Sequence, residues 1–267
     1  MAGRDLGMRD IAGEGVLIGA GGRSILLQIA NPAIGHGVAH HSNFASRPLD
    51  RLRGTLTYVY AVVFGTPAEA ASASLRVNRA HGPVVGKAVD GAPAYSAFTP
   101  ELQLWVAATL YDSAITMREL VFGPLDDDTA DALYLDYAVL GTALQVPAAL
   151  WPVDRAAFAM YFRDRLAELR TDATTRAVAW ELLYPRSGPV WLRLLMPVGR
   201  LLTVGLLPPL VRELFQLDWS PRSQRRFDRL LAFIGVLYPL LPLRLRHWPK
   251  NHFLRAVRQS MEEPAVV

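Results

Sequence analysis

Thr66-Pro67-Ala68-Glu69-Ala70-Ala71-Ser72-Ala73-Ser74-Leu75-Arg76-Val77-Asn78-Arg79-Ala80-His81-Gly82-Pro83 reads as one complete α-helix with both ends marked. Threonine is a preferred N-cap, and proline suits the first helical position because its missing N–H would be unpaired there anyway. An acid in the first turn meets the positive end of the helix dipole. Gly82-Pro83 then stops the helix after His81. The same punctuation recurs at Thr99-Pro100-Glu101, and Asp126–Asp128 marks a further start before Thr129. As a carboxylate metal site that aspartate run is disfavoured, since consecutive aspartates beside a cap rarely converge on one ion.

Outward from these starts, apolar residues fall at helical spacing. Leu102, Trp105, Val106, Thr109 and Leu110 share one face, and Leu133, Tyr137, Leu140 and Leu144 another. The pattern predicts roughly ten helices: Arg23–Ala30, Pro32–His40, Pro48–Phe64, Pro67–His81, Pro100–Val121, Thr129–Val146, Val153–Leu169, Thr171–Leu183, Val190–Leu207 and Ser220–Leu241. Strand-like alternation is confined to Gly15–Ile18 and, marginally, Val84–Val89. No repeat, low-complexity stretch or long linker divides the chain. The expectation is a single all-α domain across residues 1–267, with loose ends at 1–11 and 260–267.

The composition bounds the function. Of 267 residues 51% are hydrophobic and 19% charged, which is rich for a water-exposed chain and points to an apolar cavity or to contact with lipid. A net charge of +4 gives no sign of nucleic acid as a partner. The basic excess is local, with Arg222, Arg225, Arg226, Arg229, Arg244, Arg246, Lys250, Arg255 and Arg258 in the last fifth. Such a region is compatible with peripheral contact at an anionic membrane, although a solvated helical face with snorkelling arginines explains it slightly better. The first residues are charged rather than signal-like, and prolines interrupt the longest apolar stretches, Val190–Phe215 and Leu230–Leu243; arginines also break the first of these. No spanning helix is expected, and a cytoplasmic location is the default.

The chain contains no cysteine, so disulfides, thiolate–metal sites, iron–sulfur clusters and cysteine nucleophiles are excluded. Gly19-Ala20-Gly21-Gly22 after Val16-Leu17-Ile18 is a poor dinucleotide fingerprint. Ser24 stands where a third glycine belongs, and the next helix ends at Asn31-Pro32 after about two turns, so the glycines are expected to form a turn. Six histidines remain: His36, His40, His41, His81, His247 and His252. None of the Glu-x-x-His pairs of a di-iron bundle is present, nor a zinc-protease motif, nor a Gly-x-Ser-x-Gly elbow. A histidine-held heme demands far less of a sequence, namely one imidazole and an apolar pocket. By composition alone His81 is a minority candidate, because a histidine at a helix C-terminus more often serves the dipole.

A resemblance changes that weighting. Gly22-Arg23-Ser24-Ile25-Leu26-Leu27-Gln28-Ile29-Ala30-Asn31-Pro32, then Gly37-Val38-Ala39-His40-His41-Ser42-Asn43-Phe44, resembles the opening of the oxygenase family of the fungal endoplasmic-reticulum oxygenase MpaB and the bacterial latex-clearing rubber oxygenase. The likeness continues through Pro48-Leu49-Asp50-Arg51-Leu52-Arg53-Gly54-Thr55, Val77–Val85, Leu102–Ser113, Leu206-Leu207-Pro208-Pro209 and Trp219-Ser220-Pro221. Each motif is moderately specific, and together they keep one order over most of residues 12–245.

The resemblance implies a helical domain that binds heme b through a histidine, with dioxygen as co-substrate. The expected iron ligand is His81. The rubber oxygenases carry an Arg-x-x-Lys-Thr motif about one helix earlier, and Arg51-Leu52-Arg53-Gly54-Thr55 matches it. Arg51 and Thr55 would then share a helix face toward the iron-bound ligand, the arginine stabilising charge developing on reduced dioxygen and the threonine donating a hydrogen bond. Glycine at 54 in place of the lysine implies a more open site and argues against rubber itself as substrate. Asn31 stands where many relatives carry histidine. His41 is expected to brace the structure first and to be an alternative iron ligand second; it cannot share a metal with His40 from a regular helix, whose successive residues point about 100° apart. Trp105, Thr109 and Asp112 are expected to line or brace the pocket.

The resulting expectation is a heme-dependent oxygenase acting on an apolar, isoprenoid or lipid-like substrate by oxidative cleavage of a carbon–carbon double bond. The alternative is a non-catalytic heme- or lipid-binding helical protein at the membrane surface.

Overall fold

The computed structural model describes residues 7–41, 49–88 and 92–262. The helices follow in chain order as α1 (Met8–Ala12), α2 (Gly21–Ile29), α3 (Pro32–His41), α4 (Asp50–Phe64), α5 (Pro67–His81), α6 (Pro100–Phe122), α7 (Asp127–Tyr137), α8 (Val139–Thr142), α9 (Arg155–Glu168), α10 (Ala173–Leu183), α11 (Val190–Leu206), α12 (Pro209–Leu214), α13 (Pro221–Leu237), α14 (Leu243–Arg246) and α15 (Trp248–Glu262). A two-stranded antiparallel ribbon, β1 (Val85–Gly86) with β2 (Tyr95–Ser96), lies between α5 and α6 and pairs Val85 with Ser96 and Gly86 with Tyr95. The all-α reading holds.

The marked ends explain the elements. Thr66 accepts a hydrogen bond from the Glu69 amide while the Glu69 carboxylate accepts one from the Thr66 amide, a reciprocal capping box, and α5 spans the residues its sequence marks. Asp126 caps α7 through the Thr129 amide at 2.9 Å. Thr99 makes no side-chain cap, so proline at the first position and the acid after it define the start of α6.

Several expectations are corrected. Gly15–Ile18 is not a strand: residues Gly15–Ala20 form a 3₁₀ helix that runs directly into α2. The glycines there make no sharp turn. Gly22 instead sits against α11, where a Cβ would collide with the Thr203 side chain. The expected Thr129–Val146 helix breaks at Ala138 into α7 and α8, and Ser220–Leu241 ends as α13 followed by a 3₁₀ turn, Tyr238–Leu240. Strand β1 is shorter than Val84–Val89, with residue 89 outside the described residues, as is Pro48 before α4. Helices α1, α12, α14 and α15 have no counterpart in the sequence reading. Within the stretch expected to be loose, Met8 and Ile11 of α1 are buried, and α15 continues to Glu262.

The main core gathers α2, α6, α7 and α9 around buried Leu26, Leu27, Trp105, Leu133, Tyr134, Phe158 and Phe162. A second cluster, with Met117, Val121, Leu202, Leu206, Phe227 and Leu231, joins α6, α11 and α13. Leu17 and Trp219 pack against both clusters. Two ionic ties reach across the chain. Glu14 is held by Arg246 and Tyr238, and Glu69 by Arg258 at 2.8 Å, which fastens the C-terminal helix to the early ones.

Candidate active site

Helices α4 and α5 are joined only by Gly65 and Thr66, so they run antiparallel and pack along their length. The first turn of α4 and the last turn of α5 therefore meet at one end of the pair. That geometry brings Arg51 and Thr55 to the same place as His81. All three line a single cavity of about 470 Å³, together with Gly54 between them and His41 from the end of α3. The volume lies in the usual range for small-molecule sites, about 300–1,000 Å³. Much of the wall is apolar: Ile34 and Val38 from α3, Val77 from α5, Leu102, Val106 and Leu110 from α6, and Leu140 and Leu144 near α8.

His81 is the chemically conspicuous residue in this wall. Its Nδ1 is buried and has no hydrogen-bond partner among the described residues, which is uncommon for a buried ring nitrogen. Burial depresses the pKa of its imidazole below the ordinary histidine value, and the nearby positive charge of Arg51 pushes the same way. The ring is thus held neutral at physiological pH, the form in which imidazole donates a lone pair to a metal. Phe98 contacts it edge-on, with ring centroids 6.2 Å apart.

Among the described residues, Arg51 is held by a relay of side-chain hydrogen bonds. Its Nη2 donates to Gln28 Oε1 at 3.3 Å. The Gln28 amide nitrogen donates in turn to Ser24 Oγ at 3.0 Å and Thr109 Oγ1 at 3.1 Å, and the Thr109 hydroxyl donates to the Val106 carbonyl at 2.8 Å. This relay fixes which end of the Gln28 amide faces the arginine. Burial lowers the guanidinium pKa to about 10, which leaves it cationic at neutral pH. Among the described residues nothing lies within 4 Å of where a Cβ at Gly54 would sit, so the cavity wall they form is open there.

The remaining expected residues are held by the contacts that follow. Trp105 is 1% exposed and its indole N–H donates to the Leu27 carbonyl; Thr109 is fully buried; neither lines the cavity. Asp112 pairs with buried Arg23 at 2.5 Å, and burial still raises its carboxyl above the usual range, outweighing the pull of Arg23. Asn31 does not face the cavity either: its Oδ1 accepts from the Ala33 amide at 3.1 Å and caps α3. His40 and His41 both reach one partner, the Tyr95 hydroxyl, His40 Nδ1 at 3.1 Å and His41 Nε2 at 3.2 Å. His36 bridges α3 to Asp172 at the start of α10, 2.6 Å away. Residues Ser42–Phe44 and Pro48 of the motif stretches lie outside the described residues.

Gln28, Gln103, Tyr58 and Tyr95 also line the cavity, and the sequence reading gave none of them a role. Gln28 was legible only as part of a motif, and no spacing rule links Tyr95 to the histidines of α3. Among the described residues no three His, Asp or Glu side chains converge into a metal site of their own. A single imidazole with a large apolar cavity suits a macrocycle that supplies its own equatorial ligands.

Residues 8–236 match the family described as ER-bound oxygenase mpaB/B'/rubber oxygenase, catalytic domain. The chain belongs to that family. Relatives include uncharacterized proteins of Mycobacterium tuberculosis and Mycobacterium bovis, each 38% identical over 226 residues, covering 83% of this chain and 88% of the relative. No solved structure matches the chain significantly.

Proposed function

We propose that this protein is a heme b-dependent oxygenase that uses dioxygen on an apolar, isoprenoid- or lipid-like substrate, with oxidative cleavage of a carbon–carbon double bond as its reaction. The observation that carries the reading is His81: a neutral imidazole with a buried nitrogen that has no hydrogen-bond partner among the described residues, lining the same apolar cavity as Arg51. His81 would hold the iron, and heme, when bound, supplies dioxygen binding and activation. The protein's own residues do the rest. Arg51, braced through Gln28, keeps a cation fixed in the wall where negative charge develops, and preorganisation is what gives such a cation its catalytic value. The Thr55 hydroxyl lies one helical turn further along the same face. Ile34, Val77, Leu102, Val106 and Leu110 bind apolar carbon and exclude water.

The open wall at Gly54 favours a second reading, in which the cavity binds heme or lipid without turnover. Purified protein should show a strong Soret band that is lost in His81→Ala, and oxygen uptake with a panel of apolar alkenes should fall in Arg51→Ala while heme content stays. Colourless protein after expression with ample heme would refute the oxygenase and the heme-binding form of the second reading, leaving lipid as the occupant. A Soret band without turnover across the panel would leave the second.

A further inference from the structure

The last third of the chain leaves an unusually large apolar surface in solvent. Helices α11 and α13 pack side by side through Leu202, Leu206, Phe227 and Leu231, with Gly205 allowing the Phe227 ring to approach the backbone of α11. Residues late in α11 thus meet residues early in α13, so the two helices run antiparallel. Continued outward, that register carries the start of α11 and the end of α13 away from the shared cluster in the same direction. Those are the segments whose apolar side chains are not covered: Trp191, Leu194, Leu195 and Val198 on one, Phe233, Val236, Leu237 and Leu240 on the other. Leu194 is 74% and Leu240 75% exposed, and the chain continues into exposed Leu243, Leu245 and Trp248. Contiguous exposure of this kind marks an interaction surface.

The charge pattern selects the occupant. From 190 to 212 and from 229 to 261 there is no aspartate or glutamate at all, while these stretches hold Arg193, Arg200, Arg212, Arg229, Arg244, Arg246, Lys250, Arg255 and Arg258. Arg246 and Arg258 are consumed by Glu14 and Glu69. Arg193, Arg229, Arg244 and Arg255 are exposed. A second copy seated on this face would set cation against cation. An anionic lipid surface instead accepts the leucines and tryptophans below its headgroups and the arginines among its phosphates. Since no helix among the described residues is long and apolar enough to cross a membrane, the face lies on the bilayer rather than through it. We propose that the outer ends of α11 and α13, with the 3₁₀ turn and α14 that follow, dock this protein onto anionic membranes.

The test is flotation of the full chain with vesicles of phosphatidylcholine alone and of three parts phosphatidylcholine to one part phosphatidylglycerol, at low and high salt. The expected result is binding to the anionic vesicles that weakens with salt, and little binding to the neutral ones. Leu194→Ser with Leu240→Ser should cut the partition by about tenfold per leucine, and Arg193→Gln with Arg244→Gln by about fivefold per arginine. All four side chains are solvent-exposed, so circular dichroism should be unchanged. Absence of binding to anionic vesicles overturns the proposal, as does equal binding to both kinds. A lipid-free dimer broken by the same leucine variants also overturns it, by assigning the face to a second copy.

Discussion

Replacing Gly54 with alanine tests the geometry of the site at its least crowded point. Gly54 is the fifth residue of α4, past the first turn, and every side chain of the described residues outside its own helix neighbours is more than 4 Å from an added Cβ. Glycine in a helix interior costs about 0.8–1.0 kcal/mol relative to alanine, because its unfolded chain has more conformations to lose. With no steric penalty to set against that gain, Gly54→Ala should stabilise the protein by roughly 0.5–1 kcal/mol. For a chain of this length the change corresponds to an increase in Tm of about 2 °C. Guanidinium unfolding should show a higher midpoint at unchanged slope. Gly205→Ala is the matched control: its Cβ runs into the Phe227 ring, and overpacking of that kind costs about 1–3 kcal/mol. A destabilised Gly54→Ala would refute the open wall at this position. If the wall is open, Gly54→Lys should also fold. With heme bound, the side chain at 54 would reach into the cavity and, once its ammonium has lost a proton to solvent, its neutral amine could ligate the iron and shift the Soret band toward a low-spin spectrum; an unaltered spectrum in a folded variant at alkaline pH would show that position 54 does not overlook the iron.

Three further outcomes follow from particular contacts. In the heme-free protein His81 should titrate below the ordinary histidine value, because burial and Arg51 both disfavour its cation, so the neutral-ring form loses its stability advantage as the pH falls below about 6.5. Arg51→Gln should move that titration upward, as read from the imidazole proton shifts in NMR; a His81 titrating normally in the parent would contradict the burial described. Glu14→Gln leaves the largely buried Arg246 guanidinium without its carboxylate and weakens the Tyr238 hydrogen bond, and should cost about 3 kcal/mol in urea unfolding, with a loss under 1 kcal/mol counting against that tie. Thr109→Val removes one acceptor of the Gln28 amide nitrogen at a fully buried position and should lower stability by roughly 1–2 kcal/mol in thermal unfolding, with the heme content proposed to depend on His81 left unchanged.

The sequence by itself determined the all-helical class and many of the helices, because capping chemistry and the 3.6-residue apolar period act over a few neighbouring residues. Helix α5, from Thr66 to His81, is legible on those grounds alone. It also offered His81, Arg51 and Thr55 as candidates, though only the ordered resemblance raised His81 above the other histidines. What it could not supply was any relation between residues distant along the chain. That Arg51 and His81 face one cavity follows from the short α4–α5 connection and the packing of those helices. That Thr109 braces Gln28, and Gln28 in turn Arg51, depends on α2 lying against α6, a contact across about 80 residues. Gly15–Ile18 looked like a strand because four residues cannot distinguish alternation from a 3₁₀ turn that leads into a helix. Helices α12 and α14 escaped because segments of four to six residues carry too few turns for a periodic signal, while α14 and α15 are each tied to an early residue, Glu14 and Glu69, that no local pattern reveals. Local propensity writes the helices, and only packing decides which of their faces meet to make a site.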